Sequence, residues 1–168
     1  MARRKNNIFP IPIPDGCSLP MLGPMHQGST NACTVFSVVY GLRIMYHLRG
    51  LLFDLDPLEV HKAILLQYYD NYDPRKSVSY KQTFKWLKKH HYIWRKRPVQ
   101  NIIEDYKIKI FQGYPVYLTL KRHGLLHAVC AFQYDNDIVI YHDSNSKSYP
   151  LKQIEDFGDV QESFLTIL

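Results

Sequence analysis

Gln27-Gly28-Ser29-Thr30-Asn31-Ala32-Cys33-Thr34-Val35-Phe36-Ser37 is the stretch on which the reading of this chain turns. Ser29, Thr30 and Asn31 are residue types that cap helix N-termini, and Val35, Phe36, Val38, Val39 and Leu42 follow at offsets that bury most of a helix. The pattern predicts a helix running to about His47, with Gly50 as its stop. Cys33 then falls in the first turn. There the unpaired amides and the dipole of the helix favour the thiolate, the nucleophilic form of cysteine. Gln27 lies six residues upstream, across a Gly-Ser-Thr turn able to fold its amide back beside the sulfur. A side-chain amide next to a backbone N–H is the donor pair that a developing oxyanion needs. The plainer alternative is a small buried cysteine and an ordinary loop amide.

Upstream, residues 8 to 24 hold Pro10, Pro12, Pro14, Pro20 and Pro24, a density that forbids helix and predicts an extended arm over residues 1–24. Downstream, Asp54 or Asp56 starts a second helix with Pro57 in its first turn, and Ser79 caps a third containing Phe84, Trp86 and Leu87. A fourth helix is predicted from Val99 to about Gln112, closed by Gly113. After Pro115 the pattern becomes extended. Strands are expected over residues 116–120, 127–134 and 137–142, the last two joined by a turn at Asp135-Asn136-Asp137. A short helix over residues 154–157 and a closing strand over 164–168 complete the chain. Helices first and strands afterwards predict an α+β fold, with a helical half over about 25–112 and an antiparallel β half over about 113–168.

A cysteine nucleophile needs a base, and the base needs a group to orient it. His127 opens the apolar strand His127-Ala128-Val129-Cys130-Ala131-Phe132, and sixteen residues on Asp143 closes the next strand. Antiparallel strands joined by a tight turn bring their outer ends together, so these two are expected to meet. The carboxylate would fix the imidazole tautomer and stabilise its cation. His26, His90, His91, His123 and His142 are the competing histidines, and Asp143 has the alternative of a plain turn residue. Strand alternation points His142 away from Asp143, which speaks against a metal site built from His127, His142 and Asp143. Three cysteines without a CxxC pair suit neither a disulfide framework nor a zinc site. They indicate a reducing, cytosol-like compartment, with Cys130 as core and Cys17 as a bystander in the arm.

These boxes resemble the papain-like cysteine peptidases. Gln27…Cys33 in Gln-Gly-Ser-x-x-x-Cys-x-x-Phe-Ser and the His127-Ala-Val box carry the likeness. Leu55-Asp56-Pro57-Leu58 is similar to the start of the family's second helix, and Gly113-Tyr114-Pro115-Val116 to the strand that precedes its histidine. The resemblance runs from about Asp15 to the end and implies one two-lobed papain-like domain over residues 25–168. It implies Cys33 as nucleophile, His127 as general acid/base, Gln27 as oxyanion donor and Asp143 as the orienting residue, with no cofactor and no metal. The implied reaction is cleavage of peptide or isopeptide bonds through an acyl-enzyme.

The chain also departs from that family. Thr30-Asn31-Ala32-Cys33-Thr34 stands where Cys-Gly-Ser-Cys-Trp is usual, so the disulfide cysteine and the tryptophan are missing. Asp143-Ser144-Asn145-Ser146 replaces Asn-Ser-Trp-Gly, and Asp in place of Asn looks more like the bacteriocin-processing and other bacterial branches. Only 94 positions separate Cys33 from His127, against roughly 130–150 in papain and the cathepsins. Two other readings stay open. One is a catalytically inactive papain-like interaction protein; the other is a transglutaminase-like acyl transferase, which also uses Cys, His and Asp.

Over 168 residues, 46 % hydrophobic and 21 % charged residues exclude a disordered chain. Lys and Arg number 21 against 15 Asp and Glu, for a net charge of +6. Part of the excess lies in Arg3-Arg4-Lys5, and part in Lys85, Lys88, Lys89, Arg95, Lys96 and Arg97. The latter interleave with Trp86, Tyr92 and Trp94, a mixture suited to an acidic partner or nucleic acid. The alternative is a helix anchored by Trp86, Leu87 and Ile93 with a solvated lysine face. No apolar run reaches the roughly 18 residues of a membrane span, and the N-terminus leads into prolines rather than a signal-peptide core. A cytoplasmic setting is expected, with association with a larger particle or virion left open. A protein or peptide substrate is the expected partner, and the sequence is silent on oligomeric state.

Overall fold

Asp56 accepts a hydrogen bond from the Leu58 N–H at 2.8 Å, and Pro57 occupies the first helical position, where a missing N–H costs nothing. Ser79 and Gln82 form a reciprocal capping box at the start of the next helix. Both starts stand where the sequence places them in the computed structural model, which describes residues 12–146, 151–154 and 157–168. The elements in chain order are β1 (Gly16–Ser18), α1 (Cys33–Leu48), α2 (Pro57–Tyr68), α3 (Tyr80–Lys89), β2 (Arg95–Pro98), α4 (Ile103–Phe111), β3 (Val116–Arg122), β4 (Leu125–Asp135), β5 (Ile138–His142), β6 (Leu151–Ile154) and β7 (Val160–Ile167). All α-helices among the described residues precede Val116, and only the short β1 and β2 come before it among the strands. The α+β class and its helix-then-strand order hold.

The strands form one antiparallel sheet in the order β2-β7-β3-β4-β5-β6. β3 pairs with β4 only as far as Val116 opposite Ala131, and β1 takes over the same edge at Gln133–Asp135. His123 and Gly124, both at positive φ (50° and 78°), make the two-residue β3–β4 turn. Nearly every residue of α1 from Thr34 to Met45 is buried as the helix packs against β4 and β3. Gly41 permits that approach, because a Cβ there would collide with the Tyr117 ring. Polar side chains tie helices to strands: Ser37 Oγ donates to the Val129 carbonyl at 2.7 Å, and the Tyr80 hydroxyl donates to the Leu118 carbonyl at 3.1 Å. A smaller apolar cluster of Val35, Val39, Val60, Ile64, Leu65 and Val78 joins α1 to α2.

Four local expectations are corrected. Ser29, Thr30 and Asn31 do not cap α1: Ala32 holds the N-cap position and supplies no side-chain bond. Thr30 Oγ1 instead donates to the Gln27 carbonyl at 2.7 Å, and Asn31 bonds the Pro74 and Arg75 carbonyls, so these residues pin the loop. The fourth helix begins at Ile103, not Val99, because residues 95–98 pair with β7 and the Val99 N–H donates to the Ser163 carbonyl. The expected helix over 154–157 is the end of β6, followed after two undescribed residues by a 3₁₀ turn over Phe157–Asp159. The closing strand starts at Val160 rather than Phe164. Within the expected extended arm, residues 16–18 form β1, while residues 1–11, including Arg3-Arg4-Lys5, lie outside the described residues.

Candidate active site

The 16-residue α1 begins at Cys33, so its thiol sits at the positive end of a buried helix. The half-buried thiol lines one cleft with Thr34, His127 and Ala128, and the His127 ring, the Ala128 backbone N–H and the Thr34 hydroxyl all act to favour its thiolate. His127 lies on β4 opposite Leu120. Cys130 pairs with His142, so the chain continues with Asp143 opposite Val129, on the face that His127 shares. His127 Nε2 lies 2.6 Å from Asp143 Oδ1, which leaves Nδ1 for the thiol. Asp143 is buried, and the same oxygen accepts the Asn145 N–H at 2.9 Å.

The electrostatics follow from these contacts. Burial pushes the Cys33 thiol up, but the hydrogen bonds from His127 and Ala128, the imidazolium charge and Thr34 outweigh it and hold the group below the ordinary thiol range. Burial works against the charged form of His127 as well. The hydrogen bonds to Asp143 and Cys33, with the charges behind them, raise it to about 9. The two shifts are coupled and run in one sense, favouring a deprotonated sulfur beside a protonated ring. The other thiols move the opposite way, since burial raises both Cys17 and the core residue Cys130.

Gln27 is buried and held at both ends of its amide. Nε2 donates to the Thr30 carbonyl at 2.7 Å and Oε1 accepts from Ser144 Oγ at 2.6 Å, while the Gln27 N–H donates to the Ser144 carbonyl at 3.0 Å. The loop before α1 is thereby stitched to the residue that follows Asp143. Ser144 escaped the sequence reading; its one signal is its place beside Asp143. Ala128 and Thr34, which contact the sulfur, carried no signal beyond adjacency to His127 and Cys33.

His142 faces the other side of the sheet. Its ring stacks on Tyr40 at 3.9 Å, Nε2 accepts the Met25 N–H at 3.1 Å, and burial pushes it down to about 4. His127, His142 and Asp143 therefore do not converge, and among the described residues no group of three or more His, Cys, Asp or Glu is spaced to hold a metal. His26 and His123 are exposed, and His90 stacks on Trp86 at 4.1 Å.

A cleft of about 270 Å³ opens beside Cys33 and His127, walled by Val78, Tyr80, Thr119, Leu126 and Glu162. The basic segment lies elsewhere and is split. Lys85 and Lys88 of α3 join Lys81, and with Arg95 and Lys96 of β2 they surround a hollow of about 380 Å³ floored by Phe84 and Ile93. Lys89 is exposed at the helix end, and Arg97 lines a separate hollow with Pro98 and Lys109. No described helix is long and apolar enough to cross a membrane.

No protein-family model and no curated protein sequence matches this chain. Solved structures do. The bromelain protease from Ananas comosus, in complex with the E64 inhibitor, is similar with a TM-score of 0.75 over 93 % of this chain and 100 % of that one, at 14 % identity. The Carica candamarcensis cysteine protease CMS1MS2, in complex with E-64, is similar with a TM-score of 0.73 over 92 % and 99 %, at 13 % identity. Xylellain, a cysteine protease from Xylella fastidiosa, gives 0.73 over 93 % and 87 %, at 13 % identity. At such identities the likeness is one of architecture, and on it this chain has the fold of the papain-like cysteine proteases.

Proposed function

We propose that this protein is a thiol hydrolase that cleaves peptide or isopeptide bonds through Cys33. One observation carries the reading: a thiol at a helix N-terminus shares a cleft with an imidazole that a buried carboxylate holds at 2.6 Å and, with the thiol, raises to about 9. Likeness in fold to proteases solved with E-64 supports it.

The Cys33 thiolate attacks the carbonyl carbon, and the carbonyl electrons move to oxygen. The Cys33 backbone N–H, one of the first amides of α1 without an intrahelical acceptor, bonds that oxyanion. Gln27 spends one of its two amide hydrogens on Thr30 and offers the second. As the tetrahedral intermediate collapses, the C–N bond breaks and the leaving amine takes the proton from His127 Nδ1. A water then gives its proton to His127 and its oxygen to the acyl carbon. The C–S bond breaks, the acid departs, and the thiolate is restored.

Reduced protein at pH 7 is expected to release new amino groups from casein, and E-64 is expected to stop the release. Casein left intact while monodansylcadaverine enters its glutamines would replace hydrolysis with acyl transfer. Casein left intact with no incorporation would favour the inactive reading.

A second reading attaches to the basic hollow of α3 and β2. Five cations surround it without an acidic side chain in its wall, and beside it the exposed Trp94 carries the Arg95 guanidinium 4.4 Å above its ring. Cations with an exposed aromatic suit single-stranded nucleic acid, whose bases stack while its phosphates pair. A labelled dT20 is expected to bind at 50 mM salt and to weaken steeply as salt rises, with K85E/K88E losing roughly ten-fold or more. Binding that ignores both salt and these lysines would remove this reading.

A further inference from the structure

Between Ser18 and Cys33 the chain forms neither helix nor strand, and side chains of α1 and β5 anchor it. The Tyr40 hydroxyl donates to the Leu22 carbonyl at 3.2 Å, and Arg43 Nη1 donates to the Gly23 carbonyl at 3.3 Å. His142 Nε2 accepts the Met25 N–H at 3.1 Å. That last anchor lies two residues before Gln27, and its ring ends β5 directly ahead of Asp143 and Ser144.

His142 is 1 % exposed and stacks on Tyr40 with the two planes 10° apart. Burial, helped by the charges of His26 and Arg43 and opposed by that of Asp143, keeps the ring neutral at pH 7. A neutral imidazole has one acceptor nitrogen and one N–H. Nε2 is the acceptor here, so Nδ1 carries the hydrogen, and it is buried with no partner among the described residues. An unpaired buried donor is a cost that a phenylalanine stacked on the same Tyr40 would avoid. What the imidazole adds over a phenyl ring is its one acceptor, and that acceptor is spent on Met25. We infer that His142 is a positioning residue: through the Met25 N–H its ring fixes the segment Met25-His26-Gln27 and so holds the Gln27 amide ready for the oxyanion. This rests on the hydrolase reading above. The two neighbours of Asp143 then share one loop, His142 holding it at Met25 and Ser144 at Gln27.

The test follows hydrolysis of a fluorogenic peptide coumarin amide by the full chain. H142F keeps a ring on Tyr40 but has no acceptor. Because an oxyanion donor acts in the transition state, H142F is expected to lower kcat roughly ten-fold or more with KM within about two-fold. H142Q, whose Oε1 can take the Met25 N–H, is expected to stay within about three-fold of wild type. M25P deletes the same hydrogen bond from the donor side, should match H142F, and decides the matter if H142F does not fold. A double-mutant cycle with Q27A separates positioning from general loosening: acting through Gln27, H142F and M25P should cost no more than about two-fold further in the Q27A chain. Losses that multiply with that of Q27A, an H142Q as slow as H142F, or wild-type kcat in H142F and M25P overturn the inference. A wild type that cleaves no peptide would sink the hydrolase reading alone. Hydrogen exchange then decides the anchor: a Gln27 amide exchanging at least roughly ten-fold faster in H142F or M25P than in wild type sustains it, and equal exchange ends it.

Discussion

Replacing Cys33 with serine is expected to cut peptide hydrolysis by a factor on the order of 10⁴ or more, because a hydroxyl is not ionised by a neighbouring imidazole as a thiol is. The change is nearly isosteric at a half-buried position, so the melting temperature should stay within about 2 °C of wild type, separating chemistry from folding. A labelling experiment reads the same chemistry without a substrate. An unperturbed thiol is only about 0.3 % ionised at pH 6. Lowering a thiol's pKa costs only about three-fold in intrinsic nucleophilicity per unit, so the gain in thiolate dominates. Iodoacetamide at pH 6 is therefore expected to modify Cys33 at least roughly ten-fold faster than Cys17, whose thiol burial raises. Cys130, fully buried, should stay unlabelled until the chain unfolds. Peptide mapping by mass spectrometry gives all three rates. Equal labelling of Cys33 and Cys17 would remove the basis of the proposed mechanism.

Removal of His127 carries the second large effect. His127→Ala is expected to lower kcat/KM by roughly 10²- to 10⁴-fold, the usual contribution of a positioned acid and base. It should also slow Cys33 alkylation at pH 6, since burial then acts on the thiol without the ring that offsets it. The competent state holds a thiolate and an imidazolium together. Activity thus rises on the acid side as Cys33 loses its proton and falls on the alkaline side as His127 loses its own, near about 9. Asp143→Asn removes a charge that raises His127, so the alkaline limb should move down toward the ordinary 6.5. An unmoved limb would show that Asp143 does not set the ring's proton affinity. Stability obeys the same linkage. The folded-state value of His127 lies above 6.5, so the stabilisation from the His127–Asp143 pair is complete below pH 6.5 and is lost as pH rises through about 9. Asp143→Asn should lower the melting temperature more at pH 6 than at pH 10.

The parts of the fold legible in the sequence are those encoded over a few residues. Asp56-Pro57 and Ser79…Gln82 start α2 and α3 because capping is settled within one turn. The reading fails where a residue has a distant use. Thr30 and Asn31 look like caps but spend their groups on Gln27 and on the loop at Pro74 and Arg75. Arg95–Pro98, four exposed residues without an apolar alternation, becomes β2 only because the edge of β7 is there to pair with it.

The candidate site divides along the same line. The sequence by itself determines that Cys33 opens an apolar helix, that His127 lies near the start of a strand and that Asp143 directly follows the next one. Helical period and hairpin alternation are local, and sixteen residues of β4 and β5 suffice to bring the ring and the carboxylate to 2.6 Å. Only the tertiary structure decides that this pair meets a sulfur 94 positions away, that Gln27 is locked to Ser144, and that Glu162 enters the cleft from the last strand. Those contacts have no short-range pattern. They exist because α1 packs against β4 over a glycine that lets the backbones close, and because a bulge re-registers β7 against β3.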